Sequence, residues 1–298
     1  MRRLISIGER KLETEIRGTG EKTVVVLPGM NSSIDDWNEV IRALSDMCKV
    51  ICFHRAGCGE SEPNPFGASV LQTVRDLRSL LGALQVYTPI ILAGHSYGGL
   101  CVQRFAREYP DSVAGVALVD STSVDLSRLN LLPIPNLNEQ QSDADWIAEC
   151  KRYASMTPTE ISECNSDILN HSRSQLSKDT RERISRFYTN PTLYKTMLQE
   201  VEVWYQCAKE TKESGQFPDV PLKVIARDSK YCIQILMNDG IPKDEAELFE
   251  QTWHDLILEQ SKLSGQSQFI TAINSTHSVY EDRPEVIIQA IVELLRMC

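Results

Sequence analysis

Residues 94–99 read Gly94-His95-Ser96-Tyr97-Gly98-Gly99 and lie between an apolar run at 89–93 and a helical pattern at 100–106. A strand that turns sharply through the pattern G-x-S-x-G into a helix holds its serine exposed at the tip of the turn. Glycine suits positions 94 and 98, because a side chain at either would collide with neighbouring strands in so tight a turn. The alternative is a glycine-rich loop with an incidental serine, so the rest of the chain decides.

The bulk composition favours one large α/β domain with an insertion. The chain has 298 residues, of which 42% are hydrophobic, enough for a large core. No segment approaches the roughly 20 apolar residues of a membrane span, and the N-terminus lacks the apolar stretch of a signal peptide. A net charge of −10 argues against a nucleic-acid partner. We therefore expect a soluble, cytoplasmic protein whose partner is a small-molecule substrate.

The cysteines indicate a reducing compartment. There are nine, scattered without a C-x-x-C pair. Neither Cys nor His recurs at ligand spacing, so we expect no metal site and no cofactor. Cys58 lies in a glycine-rich loop, where we expect a small buried residue rather than a reactive thiol.

Strand and helix patterns alternate along most of the chain. An early strand falls at 10–17, buried strands at 23–27, 49–53, 89–93, 113–119 and 221–226, and a last strand at 268–272, with helical stripes between them. This order predicts a mostly parallel, doubly wound sheet with helices on both faces. Asp282 and the following residues are predicted to cap the final helix.

The pattern changes between residues 121 and 217. No buried strand appears there, and amphipathic helices are predicted at 143–154, 158–171 and 190–209. We therefore assign residues 1–120 and 218–298 to the core and residues 121–217 to an inserted helical cap.

A serine nucleophile needs a base within hydrogen-bond reach, and the chain has five histidines. His277 follows the last strand, where a loop above the carboxyl ends of the strands can bring it to Ser96. The other four lie beside the serine, in an early loop, in the cap and within an amphipathic helix (His95, His54, His171 and His254). A solvated surface histidine is the alternative for His277, but its place in the chain order favours the base.

Three further segments carry a family resemblance. Residues 27–33 resemble an oxyanion loop written H-G-x-x-x-S, with Pro28 in place of His, and residues 53–61 resemble D-R-x-G-x-G-x-S, with His54 in place of Asp. A pattern H-x-x-x-x-D-R-P-E spans residues 277–285. Together with the elbow around Ser96, these segments resemble a serine α/β-hydrolase of the esterase and aminopeptidase-like superfamily.

The resemblance implies an α/β-hydrolase fold and an oxyanion hole made by the backbone amides of Met30 and Tyr97. It leaves two places for the acid that orients the histidine. Most relatives place it after the strand that here ends near Ala226, which offers Asp228, whereas some lipase-like members place it after the preceding strand, which offers Asp120. We expect Asp120, with Asp228 as the alternative. Asp125 and Asp282 are less suitable.

The residues and the resemblance predict a cofactor-free serine hydrolase that cleaves a small ester through an acyl-enzyme, as a carboxylesterase or lactonase does. One alternative is a proline-iminopeptidase-like peptidase for small N-terminal residues, in which an acidic cap residue (Glu160, Glu163 or Glu200) binds the substrate amine. Another is a non-catalytic small-molecule sensor. Serine at position 96 disfavours an epoxide hydrolase or dehalogenase with an aspartate nucleophile. Four cap aromatics, Trp146, Tyr153, Trp204 and Tyr205, either line a pocket or form the core of the cap.

Overall fold

The computed structural model describes residues 2–164 and 176–298. Its centre is an eight-stranded sheet of order β1-β2-β4-β3-β5-β6-β7-β8. The strands are β1 Arg2–Ser6, β2 Lys11–Arg17, β3 Thr23–Leu27, β4 Lys49–Phe53, β5 Ile90–His95, β6 Val113–Val119, β7 Leu222–Ala226 and β8 Ser267–Thr271. β2 is antiparallel to β1 and β4, and the remaining neighbours are parallel. The predicted mostly parallel sheet is therefore confirmed.

Helices flank the strands along the chain. They are α1 Asn38–Leu44, α2 Val70–Ala83, α3 Tyr97–Glu108, α4 Pro135–Gln141, α5 Asp143–Ala154, α6 Pro158–Cys164, α7 Lys178–Tyr188, α8 Pro191–Glu213, α9 Ser229–Asn238, α10 Lys243–Gln260, α11 Val279–Asp282 and α12 Pro284–Met297. Short 3₁₀ turns occur at Ile34–Trp37, Pro110–Ser112, Leu126–Leu131 and Ser261–Leu263.

Both faces of the sheet are buried, which explains the continuous apolar runs of the central strands. Side chains alternate between the faces along a strand. In β3, Val25 packs in one core cluster with residues of α2 and α3, and Val24 and Val26 pack in a second cluster with residues of α1 and α12. The doubly wound architecture follows from this two-sided burial.

Every described element between β6 and β7 is helical. α5 spans the predicted 143–154, and α8 extends four residues beyond the predicted end at 209. α6 begins at the predicted residue 158. Residues 165–171 of that predicted helix, which include His171, lie outside the described residues. α4 and α7 were not predicted, because their apolar positions are too few to give a clear stripe.

Three other features differ from the sequence prediction. β1 was missed because its charged side chains resemble a loop, whereas here Arg2 pairs with Glu15 of β2 at 3.1 Å. α9 was also missed. Asp282 does not cap α12: it ends α11, and its carboxylate accepts hydrogen bonds from the Thr276 amide at 2.7 Å and hydroxyl at 2.6 Å.

Within the described part of the chain, no helix has the length and apolar character needed to cross a bilayer.

Candidate active site

The elbow places one strained serine between a strand and a helix. β5 ends at His95 and α3 begins at Tyr97, so Ser96 stands alone between them with φ 51° and ψ −125°. Such a conformation costs of order 1–3 kcal/mol and persists only where the surroundings enforce it. Here the Ser96 N–H donates to Val119 O at 3.2 Å, and Ser96 O accepts from the Thr122 N–H at 3.0 Å. Strain of this kind concentrates at functional sites.

Two glycines make the elbow possible. A Cβ on Gly98 would lie 2.2 Å from the backbone oxygen of Leu27 in β3, as predicted for a collision with a neighbouring strand. A Cβ on Gly94 would lie 2.6 Å from the backbone oxygen of Gly98, so its collision is with the start of α3 and not with a strand. The first turn of α3 therefore packs directly on β3 and β5.

The structure brings His277 and Asp120 together at the carboxyl edge of the sheet. Asp120 directly follows β6 and has no solvent exposure. Its Oδ2 lies 2.6 Å from His277 Nδ1. A carboxylate only accepts hydrogen bonds, so Nδ1 carries the imidazole proton and Nε2 is left free to accept one.

Asp120 is held as an anion by neighbours that sequence reasoning missed. Its Oδ1 accepts hydrogen bonds from the Arg227 backbone N–H at 3.2 Å and from Trp253 Nε1 at 3.1 Å. Burial alone would raise the pKa of Asp120, but the charge of Arg227 and the hydrogen bonds from His277 and Trp253 lower it to about 2. The carboxylate is therefore ionised over the whole physiological pH range.

The positive charge of Arg227 is balanced by a second carboxylate, that of Glu250. Its Nε and Nη2 bind both carboxylate oxygens of Glu250 at 3.1 and 2.6 Å, and its guanidinium stacks 4.3 Å from the Trp253 ring centre. The buried Asp120, Arg227 and Glu250 thus form one charge network behind His277. No sequence signal marked Arg227, which lies next to the alternative acid Asp228.

The alternative acid has a different structural role. Asp228 caps α9 and accepts from the Lys230 amide at 3.0 Å, while its second oxygen accepts from the Asn274 amide at 3.0 Å. Asp125 lies on the cap side and pairs with Lys212 at 2.7 Å.

The other described histidines have structural contacts. His95 lies with its ring 4.6 Å from that of His277, and its Nε2 is 2.8 Å from the His277 carbonyl oxygen. Burial lowers the pKa of His95 to about 3, so it stays neutral. His54 is buried with its Nδ1 2.7 Å from Glu13, and the ring of His254 packs on Phe269.

The loop after β3 passes directly beside the serine. A Cβ on Gly29 would lie 3.0 Å from Ser96 Cβ, which shows how closely this backbone approaches. Met30 follows Gly29, and Asn31 adopts φ 52°. Tyr97, the first residue of α3, has its ring in the core. The loop that holds Met30 and the residue Tyr97 thus both adjoin Ser96.

Ser96 and His277 open into one cavity of about 650 Å³. Its wall includes three of the four cap aromatics, Trp146, Trp204 and Tyr205. Tyr153 instead packs in the cap, with its ring 4.7 Å from that of Tyr194.

Acidic residues are distributed differently from the prediction. Glu200 is buried against Arg55, and Glu160 and Glu163 are exposed on α6. Among the described residues, the acid in the cavity wall is Asp143, whose Oδ2 accepts from the Tyr205 hydroxyl at 2.5 Å. This placement was not predicted, since it depends on how α5 and α8 pack.

Cys58 is buried, as predicted, in an apolar cluster with residues of α5 and α8 such as Tyr153 and Tyr194. Burial raises the pKa of its thiol to about 12. All nine cysteines are free thiols. Across residues 2–164 and 176–298, no group of three or more His, Cys, Asp or Glu side chains is placed to hold a metal ion.

The mostly parallel sheet, with Ser96, Asp120 and His277 at the carboxyl ends of its strands, is typical of an α/β-hydrolase. The chain matches the alpha/beta hydrolase fold family over residues 22–223 and belongs to that family. It is similar to an AB hydrolase superfamily protein of Gibberella zeae, with 26% identity over 94% of this chain and 89% of that protein.

Solved structures with the same fold include a thermophilic esterase from Thermogutta terrifontis, with a TM-score of 0.62 and 23% identity over 99% of this chain and 98% of that one. The epoxide hydrolase CorEH gives a TM-score of 0.67 and 16% identity over 99% and 98% of the two chains. At these identities the likeness is one of fold.

Proposed function

We propose that this protein is a serine hydrolase of small carboxylic esters. The observation that carries the proposal is the contact of 2.6 Å between Asp120 Oδ2 and His277 Nδ1, with His277 and the strained Ser96 facing one cavity. The structural neighbours include both an esterase and an epoxide hydrolase, so the fold alone does not choose between these reactions. Serine at position 96 supports the esterase.

Acylation begins when Ser96 Oγ attacks the ester carbonyl carbon. His277 Nε2 takes the hydroxyl proton, and the carbonyl π electrons move to the oxygen to give a tetrahedral oxyanion. The backbone N–H groups of Met30 and Tyr97 stabilise that charge. Asp120 stays ionised and stabilises the imidazolium, consistent with its pKa of about 2.

The intermediate collapses when the C–O bond to the leaving alcohol breaks. The alkoxide takes the proton from His277 Nε2 and leaves, so Ser96 carries the acyl group. A water molecule then attacks the acyl carbon and gives its proton to His277. The C–O bond between the acyl carbon and Ser96 then breaks, and Ser96 Oγ takes the proton back from His277 Nε2, so the carboxylic acid is released and the serine hydroxyl is restored.

The cavity wall supports a substrate with a substantial apolar part. Trp146, Trp204 and Trp253 supply aromatic surface, and Leu129 and Ile134 supply aliphatic surface. Such walls bind acyl or alcohol groups by excluding water. A carboxylesterase or lactonase substrate of small to medium size suits this volume.

A second candidate function is cleavage of an ester or amide of a small amino acid, the reaction of a proline-iminopeptidase-like enzyme. The observation that favours it is Asp143, a carboxylate in a wall that also holds Trp146, Trp204 and Tyr205. A carboxylate beside aromatic faces attracts an ammonium group. An Asp143→Asn variant would then lower kcat/KM for an amino ester but not for a neutral ester of the same size.

The test of the main proposal is steady turnover of short-chain aryl esters by the purified protein. The wild type should turn them over and Ser96→Ala should not. Ser264→Ala is the matched control, because Ser264 hydrogen-bonds to Asp219 on the β7–β8 side, outside the cavity. Ligand binding by the wild type without turnover would contradict the proposal and favour a sensor.

A further inference from the structure

One buried arginine contacts both residues of the candidate oxyanion hole or their neighbours: it binds the backbone just before Met30 and lies over the side-chain ring of Tyr97. Arg55 follows β4 by two residues and is 5% exposed. Its Nη1 donates to the carbonyl oxygens of Pro28 at 2.7 Å and of Gly29 at 3.2 Å, the two peptides that precede Met30. Its guanidinium also lies 5.1 Å from the ring centre of Tyr97.

The opposite edge of this guanidinium is anchored by the cap region. Glu200 of α8 is 1% exposed and binds Arg55 Nε at 2.6 Å and Nη2 at 2.9 Å. The planar fork of arginine matches a carboxylate in this bidentate way and so fixes the direction of the remaining N–H groups. The position of α8 therefore determines where Arg55 Nη1 points.

The hydrogen bond from Arg55 to Gly29 O also fixes the direction of the Met30 N–H, because both groups belong to one peptide. No described peptide bond is cis, so the Gly29 carbonyl and the Met30 N–H point in opposite directions within the plane of the peptide that they share. Because Arg55 holds the Gly29 oxygen, the Met30 N–H is turned away from Arg55. Gly29 abuts Ser96, which places this peptide beside the nucleophile.

We propose that Arg55, anchored by Glu200, is a positioning residue that sets the oxyanion-hole peptide and thereby couples the placement of α8 to catalysis. This inference rests on the proposed esterase function and deepens it, since it assigns a control of the same site to the cap region. A second contact also joins the cap region to this loop: the Tyr188 hydroxyl at the end of α7 donates to Asp36 Oδ2 at 2.7 Å and lies 3.3 Å from Asn31 O.

The variants are chosen to separate positioning from folding. Arg55→Met alone leaves the Glu200 carboxylate buried without its cation, which is strongly destabilising. The double variant Arg55→Met/Glu200→Gln removes both charges. Arg104→Met is the matched control, because Arg104 also ties the core to α8, through Glu210 O at 2.9 Å, but does not contact the loop.

The double variant should be more stable to heat than Arg55→Met. With an aryl ester as substrate, its kcat should still be lowered about 10²-fold and its KM little changed. This loss is typical of removing one oxyanion donor. Arg104→Met should keep kcat within about threefold of the wild type. If kcat of the double variant returns together with its stability, the role of the pair is structural and the proposal is overturned.

A second measurement does not depend on turnover. Protein labelled with ¹⁵N-methionine gives one amide resonance for Met30, identified by its loss in Met30→Leu. We expect this resonance to shift in the double variant and to stay in place in Arg104→Met. An unchanged Met30 resonance overturns the proposal even if the wild type proves not to be an esterase.

Discussion

The substitution Asp120→Asn should almost abolish turnover while leaving the protein folded. Oδ1 of Asp120 accepts hydrogen bonds from the Arg227 N–H and from Trp253 Nε1, so the amide oxygen of an asparagine must take that place. The amide nitrogen then faces His277 Nδ1, where Oδ2 now lies at 2.6 Å. Two donors cannot share that contact, so the imidazole proton moves to Nε2 and the base is lost.

The magnitude follows from the tautomer. A histidine held in the wrong tautomer by this change costs about 10⁴ in kcat in a serine protease, which corresponds to about 5.4 kcal/mol of barrier. The cost in stability is smaller. With the pKa of Asp120 lowered from 3.8 to about 2, its charge contributes about 2 kcal/mol at neutral pH. Arg227 keeps its bidentate partner Glu250, so no buried cation is left alone.

The assay is kcat for an aryl acetate, measured beside the unfolding free energy in urea. Asp228→Asn is the companion variant: its amide oxygen can still cap α9, but its amide nitrogen cannot accept from the Asn274 N–H, so it should lose some stability and keep kcat within about threefold. The assignment of the acid is refuted if Asp120→Asn retains wild-type kcat, and above all if Asp228→Asn loses it.

Further outcomes concern stability. Gly98→Ala should destabilise the protein by about 3 kcal/mol, because its Cβ meets backbone at 2.2 Å, whereas Gly82→Ala, with open space around the Cβ in α2, should stabilise it by about 0.5–1 kcal/mol; equal effects in urea unfolding would contradict the elbow packing. Trp253→Phe keeps a ring beside His277 but removes the N–H donated to Asp120, and should lower the unfolding free energy at pH 7 by about 2 kcal/mol; no loss would show that this hydrogen bond is unimportant. The folded pKa of Asp120 lies below its unfolded value, so the stability advantage of the wild type over Asp120→Asn should be complete above about pH 4 and fall as the pH drops through about 2; an advantage that grows with acidity in pH-dependent unfolding would contradict the direction of that shift.

The strands and the elbow were predictable because they follow from local rules. A run such as Val24-Val25-Val26 is apolar on both faces only if both faces are covered. The two glycines around Ser96 are demanded by backbone contacts within a few residues or with the adjacent strand. Motif spacing therefore selected Ser96 and His277 as candidates without knowledge of the packing.

The choice of acid could not be made from spacing alone. Asp120 and Asp228 both follow strands at the same sheet edge, and only the placement of the His277 loop shows that Asp120 receives the imidazole. The buried ion pairs could not be predicted from the sequence for a related reason. Arg55 and Glu200 are 145 residues apart, and nothing in the local sequence of either indicates the other.

The cap region was the least predictable part. α5 was found from its periodicity, but whether Asp143 of this helix faces the cavity depends on how α5 packs against α8. The acids proposed instead were chosen by charge, and burial removed Glu200 from the surface. Side-chain direction in a helical insertion is set by tertiary contacts that a single sequence does not show.

The central claim is that Ser96 is an activated nucleophile. The most direct measurement is reaction of the purified protein with a fluorophosphonate, followed by peptide mapping in a mass spectrometer. We predict one covalent adduct per chain, on the peptide that contains Ser96, and its loss in Ser96→Ala. No adduct, or an adduct on any other residue, would contradict the account.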